Sequence, residues 1–135
     1  MAARRFPRSF ASLEAIFAFI RERFAAEGLD SERAWDLDLI AEELFTNMVK
    51  YSASGSNEVE ISLDWAAPVL TMWLREFDVE RWDVSKAPAV NAAAPLRERR
   101  AGGLGLHLVH QLADRVEYAY ENRCSTITVT KRLAP

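Results

Sequence analysis

The sequence has a single cysteine, Cys124, which excludes an intrachain disulfide, and no paired Cys spacing of the kind that builds a zinc site. A reducing compartment, the cytoplasm, is therefore the expected setting. Positive charge is not in excess either: 17 Lys and Arg stand against 20 Asp and Glu, a formal net charge of -3. A chain whose main task is to hold nucleic acid needs clustered cations to neutralise phosphates, so that class is set aside. No window approaches the roughly 20 apolar residues of a membrane span. The first residues, MAARRFPRSF, break at Pro7 and run into Glu14, Arg21 and Glu22, without the apolar stretch of a signal peptide.

What remains is half hydrophobic and 27% charged over 135 residues, the composition of one soluble domain spanning 1–135. From Ser12, Leu13, Ile16, Phe17, Ile20 and Phe24 recur at helical spacing and predict an amphipathic helix ending at Gly28. Asp30 and Ser31 offer N-cap oxygens to a second helix through Trp35, Leu37, Ile40, Leu44, Met48 and Tyr51, stopped by SASGSN. The period then falls to two. Val59, Ile61, Leu63 and Trp65 alternate with polar residues as in a strand with one wet face, and Pro68 marks a turn into VLTMWLREF, apolar on both parities and so more central. Residues 78–101 show no sustained period and read as a long loop of the kind that covers functional sites. A short helix from the glycines at 102–105 and two strands, RVEYAY and STITVTKRL, complete the chain. Helices, hairpin, loop, helix, hairpin implies an α+β fold, a two-layer sandwich with helices on one face of a mostly antiparallel sheet.

Three segments carry candidate chemistry. Gly102, Gly103 and Gly105 lead into a helix whose free N–H groups suit an anion such as phosphate, though for an isolated GxG a tight connection needing positive φ is the better account. On the second helix Glu43 and Asn47 are one i,i+4 step apart and share a face. A carboxylate can serve as general base and an amide oxygen can ligate Mg²⁺, while the plainer reading makes Glu43, Asn47 and Lys50 a solvated helix face. Asp78, at the end of the central strand, can accept a hydrogen bond from an exocyclic amino group or cap the turn. His107 and His110 lack the companions of a metal site and read as structural or surface residues.

Taken together, in this order and across the long loop, the segments resemble the N, G1 and G2 boxes of the GHKL (Bergerat-fold) ATPases, closest to the small anti-sigma factor serine/threonine kinases. The resemblance is strongest at EELFTNMVKY and GGLGLHLVHQLADRVEY. It implies ATP and Mg²⁺ as cofactors, Glu43 as general base, Asn47 as the Mg²⁺ ligand, and Asp78 as the adenine-reading aspartate. Gly103 and Gly105 become the phosphate-facing glycines, with Lys50, Arg100, Leu104 and Thr128 completing the nucleotide contacts; Arg97 and Arg99 add charge beside Arg100. One departure stands out. Where the family places a glycine after the G1 aspartate, this sequence has Val79, followed by Trp82 and Asp83 where an aromatic and a second aspartate are expected. A β-branched residue there crowds the base or turns away from it.

The activity so implied is phosphorylation of a STAS-type anti-anti-sigma protein, with sequestration of a sigma factor when that protein is unavailable, commonly by a homodimer. A second reading keeps the fold as a non-catalytic partner-switching module. A third, the ATP-binding fragment of a histidine kinase, would need a phosphoacceptor on a preceding hairpin, and the first 30 residues contain no histidine.

Overall fold

The computed structural model describes residues 1–51, 57–81 and 105–133. The chain opens with a strand, β1 (Ala2–Pro7), followed by a 3-10 turn at Phe10–Ser12 and helix α1 (Leu13–Ala26). Ser9 caps the turn by accepting from the Ala11 N–H. Helix α1 stops as its sequence requires. Gly28 takes a left-handed φ of 70°, its N–H donates to the Ala25 carbonyl, and the Leu29 N–H donates to the Phe24 carbonyl, so that orphan carbonyls of the last turn are satisfied. The Asp30 side chain then accepts from the Glu32 N–H and starts a second 3-10 turn, Ser31–Ala34, which runs into α2 (Trp35–Tyr51).

Beyond these lie β2 (Glu58–Ala66), β3 (Val69–Glu76), α3 (Gly105–Leu112), β4 (Arg115–Glu121) and β5 (Cys124–Arg132). The five strands form one sheet in the order β1-β2-β3-β5-β4, every neighbouring pair antiparallel. The hairpin and the central position of β3 match the sequence pattern. Strand β1 does not: two helices were expected first, yet AARRFP pairs with β2 from Ala2↔Leu63 to Pro7↔Glu58. Only Phe6 of this strand is buried, so its apolar signal is a single residue.

Parity separates the two faces of the sheet. Val59, Ile61 and Leu63 on β2, Leu70, Met72 and Leu74 on β3, and Ile127 and Val129 on β5 are buried and share one core with the helices. The alternate residues, among them Glu60, Thr71, Trp73, Arg75, Thr126, Thr128 and Thr130, occupy the other face and are half-buried. From the helical side α1 contributes Ile16, Phe19, Ile20 and Phe24, and α2 contributes Leu37, Ile40, Ala41, Leu44, Phe45 and Met48. An ion pair, Arg21 to Asp38 at 2.8 Å, fastens α1 to the first turn of α2. Burial pushes the Asp38 carboxyl above its usual range even though Arg21 opposes the rise.

The core location of α2 predicts a large stability cost for truncating its inner face. Leu44→Ala should lower the unfolding free energy by about 2–5 kcal/mol, read as a fall in the urea midpoint with unchanged slope.

Candidate functional site

Several chain ends meet at one end of the sheet. The register Pro7↔Glu58, Val59↔Glu76 and Glu76↔Ser125 brings the end of β1, the start of β2, the end of β3 and the start of β5 side by side, with the β4–β5 turn next to them. Helix α2 ends at Tyr51, and β2 is the next described element, from Glu58. Helix α3 packs against α2. Its C-terminus is tied by Asp114 to Thr130 near the opposite end of the sheet, so its first residue, Gly105, stands about 12 Å of helix away from that anchor.

Both Glu43 and Asn47 lie on α2. Asn47 is 5% exposed and Glu43 half-buried, one helical turn apart, and Lys50 continues the stripe as an exposed cation. Burial is the main cause that raises the Glu43 carboxyl above its ordinary value of 4.5; the Glu42 carboxylate adds to the rise and Lys50 opposes it. A carboxyl so shifted holds a proton more readily than a solvated one, the property wanted of a group that takes a hydroxyl proton.

At the end of β3 the structure separates two acids. Asp78, the expected base reader, has a left-handed φ of 54° and a carboxylate 75% exposed, bonded to the Arg123 guanidinium at 2.7 Å. That hydrogen bond, with the charge behind it, pushes Arg123 still higher than its usual basicity. Glu76 instead belongs to the buried, helix-facing parity of β3, is 2% exposed, and receives a hydrogen bond from Arg8 at 3.1 Å. Its cross-strand partner Ser125 is also 2% exposed, and the Ser125 Oγ lacks a hydrogen-bond partner among the described residues. Neither Glu76 nor Ser125 belongs to the sequence motifs; their signal is strand parity, since both fall in step with the apolar residues of their strands.

Val79, the residue in the glycine's place, is 3% exposed but lies outside the continuous core. The left-handed backbone falls one residue earlier, on Asp78, an amino acid that tolerates it, so the valine itself is not strained. Thr128 is not brought to the others. It pairs with Trp73 on the face of the sheet away from α2, because its parity is opposite to that of Ile127 and Val129. Arg97, Arg99, Arg100, Gly102, Gly103 and Leu104, with Trp82 and Asp83, lie outside the described residues. His107 and His110 are exposed, and among the described residues no three metal-capable side chains cluster. No helix among them is long and apolar enough to cross a membrane.

With this geometry in place, the relatives are informative. Residues 6–131 match the family model of the histidine kinase-like ATPase domain. No curated protein matches the chain in sequence. Among solved structures, the RsbU and RsbW domains of Rv1364c from Mycobacterium tuberculosis superpose on all of this chain with a TM-score of 0.67 at 16% identity. This chain spans only 34% of that protein's length. The Acinetobacter baumannii histidine kinase AdeS superposes with a TM-score of 0.51 at 15% identity, over 100% of this chain and 69% of that one. At such identities the likeness is one of fold.

The surroundings of Glu43 make a titration prediction. Followed by carboxyl NMR, Glu43 should titrate with a midpoint above 4.5. Removing its opposing cation in Lys50→Ala should raise the midpoint further, and Glu42→Gln should lower it.

Proposed function

The chain belongs to the histidine kinase-like ATPase domain family, and from that premise we propose that it is an anti-sigma regulatory factor with ATP-dependent serine/threonine kinase activity. Its substrate would be a STAS-type anti-anti-sigma protein, and its second partner a sigma factor. The observation that carries the reading is the stripe of Glu43, Asn47 and Lys50 along one face of α2, a half-buried carboxyl and a buried amide followed by an exposed cation. The sequence resemblance to anti-sigma factor kinases supports the choice of a serine or threonine acceptor, and the fold is shared with a chain that has an RsbW domain. A homodimer is carried over from the same resemblance.

Phosphoryl transfer asks a protein for positioning and charge neutralisation more than for covalent chemistry. Asn47 suits Mg²⁺ for a specific reason. That ion takes hard oxygen donors, keeps phosphate oxygens in its shell and needs only one or two protein ligands, so a single buried amide beside a nucleotide fits where no cluster of acids is required. When bound, the ion neutralises charge on the phosphates. Glu43, ionised, accepts the proton of the incoming hydroxyl as its oxygen bonds to the γ-phosphorus and ADP departs. Lys50 places a positive charge on the same helix face, where it holds Glu43 toward its ionised form. The base of the nucleotide would meet the inner face at Glu76 and Ser125, whose hydroxyl has hydrogen-bonding capacity to spare.

Isothermal titration of the 135-residue chain with ATP and Mg²⁺ tests the binding step; no heat of binding at millimolar nucleotide removes the kinase reading. With binding established, Glu43→Gln should reduce transfer to serine by roughly 10²–10⁴-fold while leaving ATP affinity near that of the unaltered chain. Asn47→Ala should abolish the dependence of ATP affinity on Mg²⁺. The acid limb of the pH–rate profile should fall away with a midpoint above 4.5, since burial favours the protonated, inactive form of Glu43.

The second reading, a non-catalytic partner-switching module, draws on Val79 in the glycine's position and on the engagement of Asp78 by Arg123. Under that reading Glu43→Ala changes neither partner binding nor any transfer. The two variants at Glu43 therefore separate the proposals in one set of assays.

A further inference from the structure

The β4–β5 turn holds an arginine that a turn alone would not select. Glu121 pairs with Cys124, leaving Asn122 and Arg123 as a two-residue hairpin loop with φ values of 52° and 61°. Two consecutive left-handed residues define the type I′ turn, whose second position is normally glycine. An arginine there is conformationally strained, and the reason for it must lie in its side chain. That side chain reaches Asp78: the Arg123 Nε donates to the Asp78 carboxylate at 2.7 Å, and a terminal nitrogen donates to the Asp78 carbonyl at 3.4 Å.

Three further contacts join the same two segments. The Val79 N–H donates to the Arg123 carbonyl at 2.9 Å. The Tyr120 hydroxyl donates to the Val79 carbonyl at 2.8 Å. The Arg81 guanidinium stands 5.9 Å from the centre of the Tyr120 ring. Both polar groups of the Val79 main chain are therefore taken by the hairpin, as are both the side chain and carbonyl of Asp78. A chain leaving a central strand is here fixed at two successive residues by a turn that lies more than forty positions later in sequence.

We propose that Tyr120 and Arg123 are positioning residues for the nucleotide: they clamp the main chain at Asp78–Val79, set the inward placement of Val79 beside the end of β3, and employ the Asp78 carboxylate in that clamp. The proposal rests on the nucleotide-binding reading above. It explains how valine occupies a position where the resemblance implies glycine. With its N–H and carbonyl both held by the hairpin, the valine has one backbone setting, and the left-handed turn it would resist falls on Asp78 instead. It also gives the exposed Asp78 carboxylate a partner, the Arg123 guanidinium.

The test uses the whole chain and two readouts. Arg123→Gly supplies the residue the turn prefers, so the melting temperature should hold or rise, a result that a purely structural role for Arg123 would not give. Combined with Tyr120→Phe, it should weaken Mg²⁺·ATP binding by about tenfold and speed amide exchange at the Val79 N–H without ligand. Arg123→Lys should recover part of the affinity. Asp78→Asn should weaken binding no more than Arg123→Gly does, and adding it to Arg123→Gly should cost nothing further, because the partner of the Asp78 side chain is already gone. Unaltered affinity in the Arg123→Gly, Tyr120→Phe double variant would overturn the positioning role while leaving the nucleotide reading intact. So would a loss in Asp78→Asn far exceeding that of Arg123→Gly, which would mean that Asp78 touches the base itself. Failure of the unaltered chain to bind ATP would overturn the nucleotide reading, and the positioning role with it.

Discussion

The seating of α2 on the inner face of the sheet is the interaction on which the other features depend. Six of its side chains, from Leu37 to Met48, are fully buried, and each of the five larger than Ala41 contributes about 1.5–3 kcal/mol relative to exposure. This burial fixes the rotation of the helix about its axis. Once Ile40, Leu44 and Met48 point to the sheet, Glu43, Asn47 and Lys50 must lie along the flank, partly covered at the first two positions and open at the third. The polar stripe is thus a geometric consequence of the apolar one. Its graded exposure is also what lifts the Glu43 carboxyl, through lost hydration more than through any single neighbour.

A second constraint acts at the end of β3. Glu76 is a buried acid on an otherwise apolar face, and Arg8, just past β1, supplies the cation beside it, with side-chain exposures of 9% and 3%. Such a pair adds little net stability over apolar residues of equal size, yet removing one member strands the other charge out of water. Its effect is to make the position of the β1 end depend on β3. The Arg8 N–H also donates to the Asn57 carbonyl, so the same residue ties the entry to β2. Buried polar groups from three strands are in this way held at one end of the molecule while the apolar layer fills the rest.

Much of this was legible beforehand. The periods of α1, α2 and β2 are strong because each element has one wet and one dry face, and Gly28 and Asp30 mark boundaries by the backbone chemistry they permit. Strand β1 escaped notice because a strand held by hydrogen bonds at a sheet edge needs no apolar pattern, and Phe6 is its one buried residue. Within the candidate site, helical spacing puts Glu43 and Asn47 on one face, and the resemblance to the GHKL ATPases is what singles them out from a solvated helix face. Asp78 lies past the end of β3, at a left-handed residue that strand parity does not govern. The placement of Thr128 depended on which way a strand residue faces, and a shift of one position reverses that answer. Motif order carries no such information. Parity with Leu74 and Ile127 does, and it selects Glu76 and Ser125. The partnership of Arg123 with Asp78 lay beyond reach, since nothing local in sequence announces a contact across 45 positions.

The arginines that hid β1 have a consequence of their own. Arg4 lies over the Phe19 ring and pairs with Glu22, while Arg5 lies over Phe77 and pairs with Glu60, so both are drawn back onto their own molecule from the outermost strand. The opposite border strand, β4, alternates Arg115, Glu117 and Glu121 with its partly covered residues. A sheet whose two margins are lined with tethered or mixed charge is a poor template for unplanned strand addition, so concentrated solutions of the folded chain are guarded against fibrous growth by the same residues that make its first strand hard to recognise.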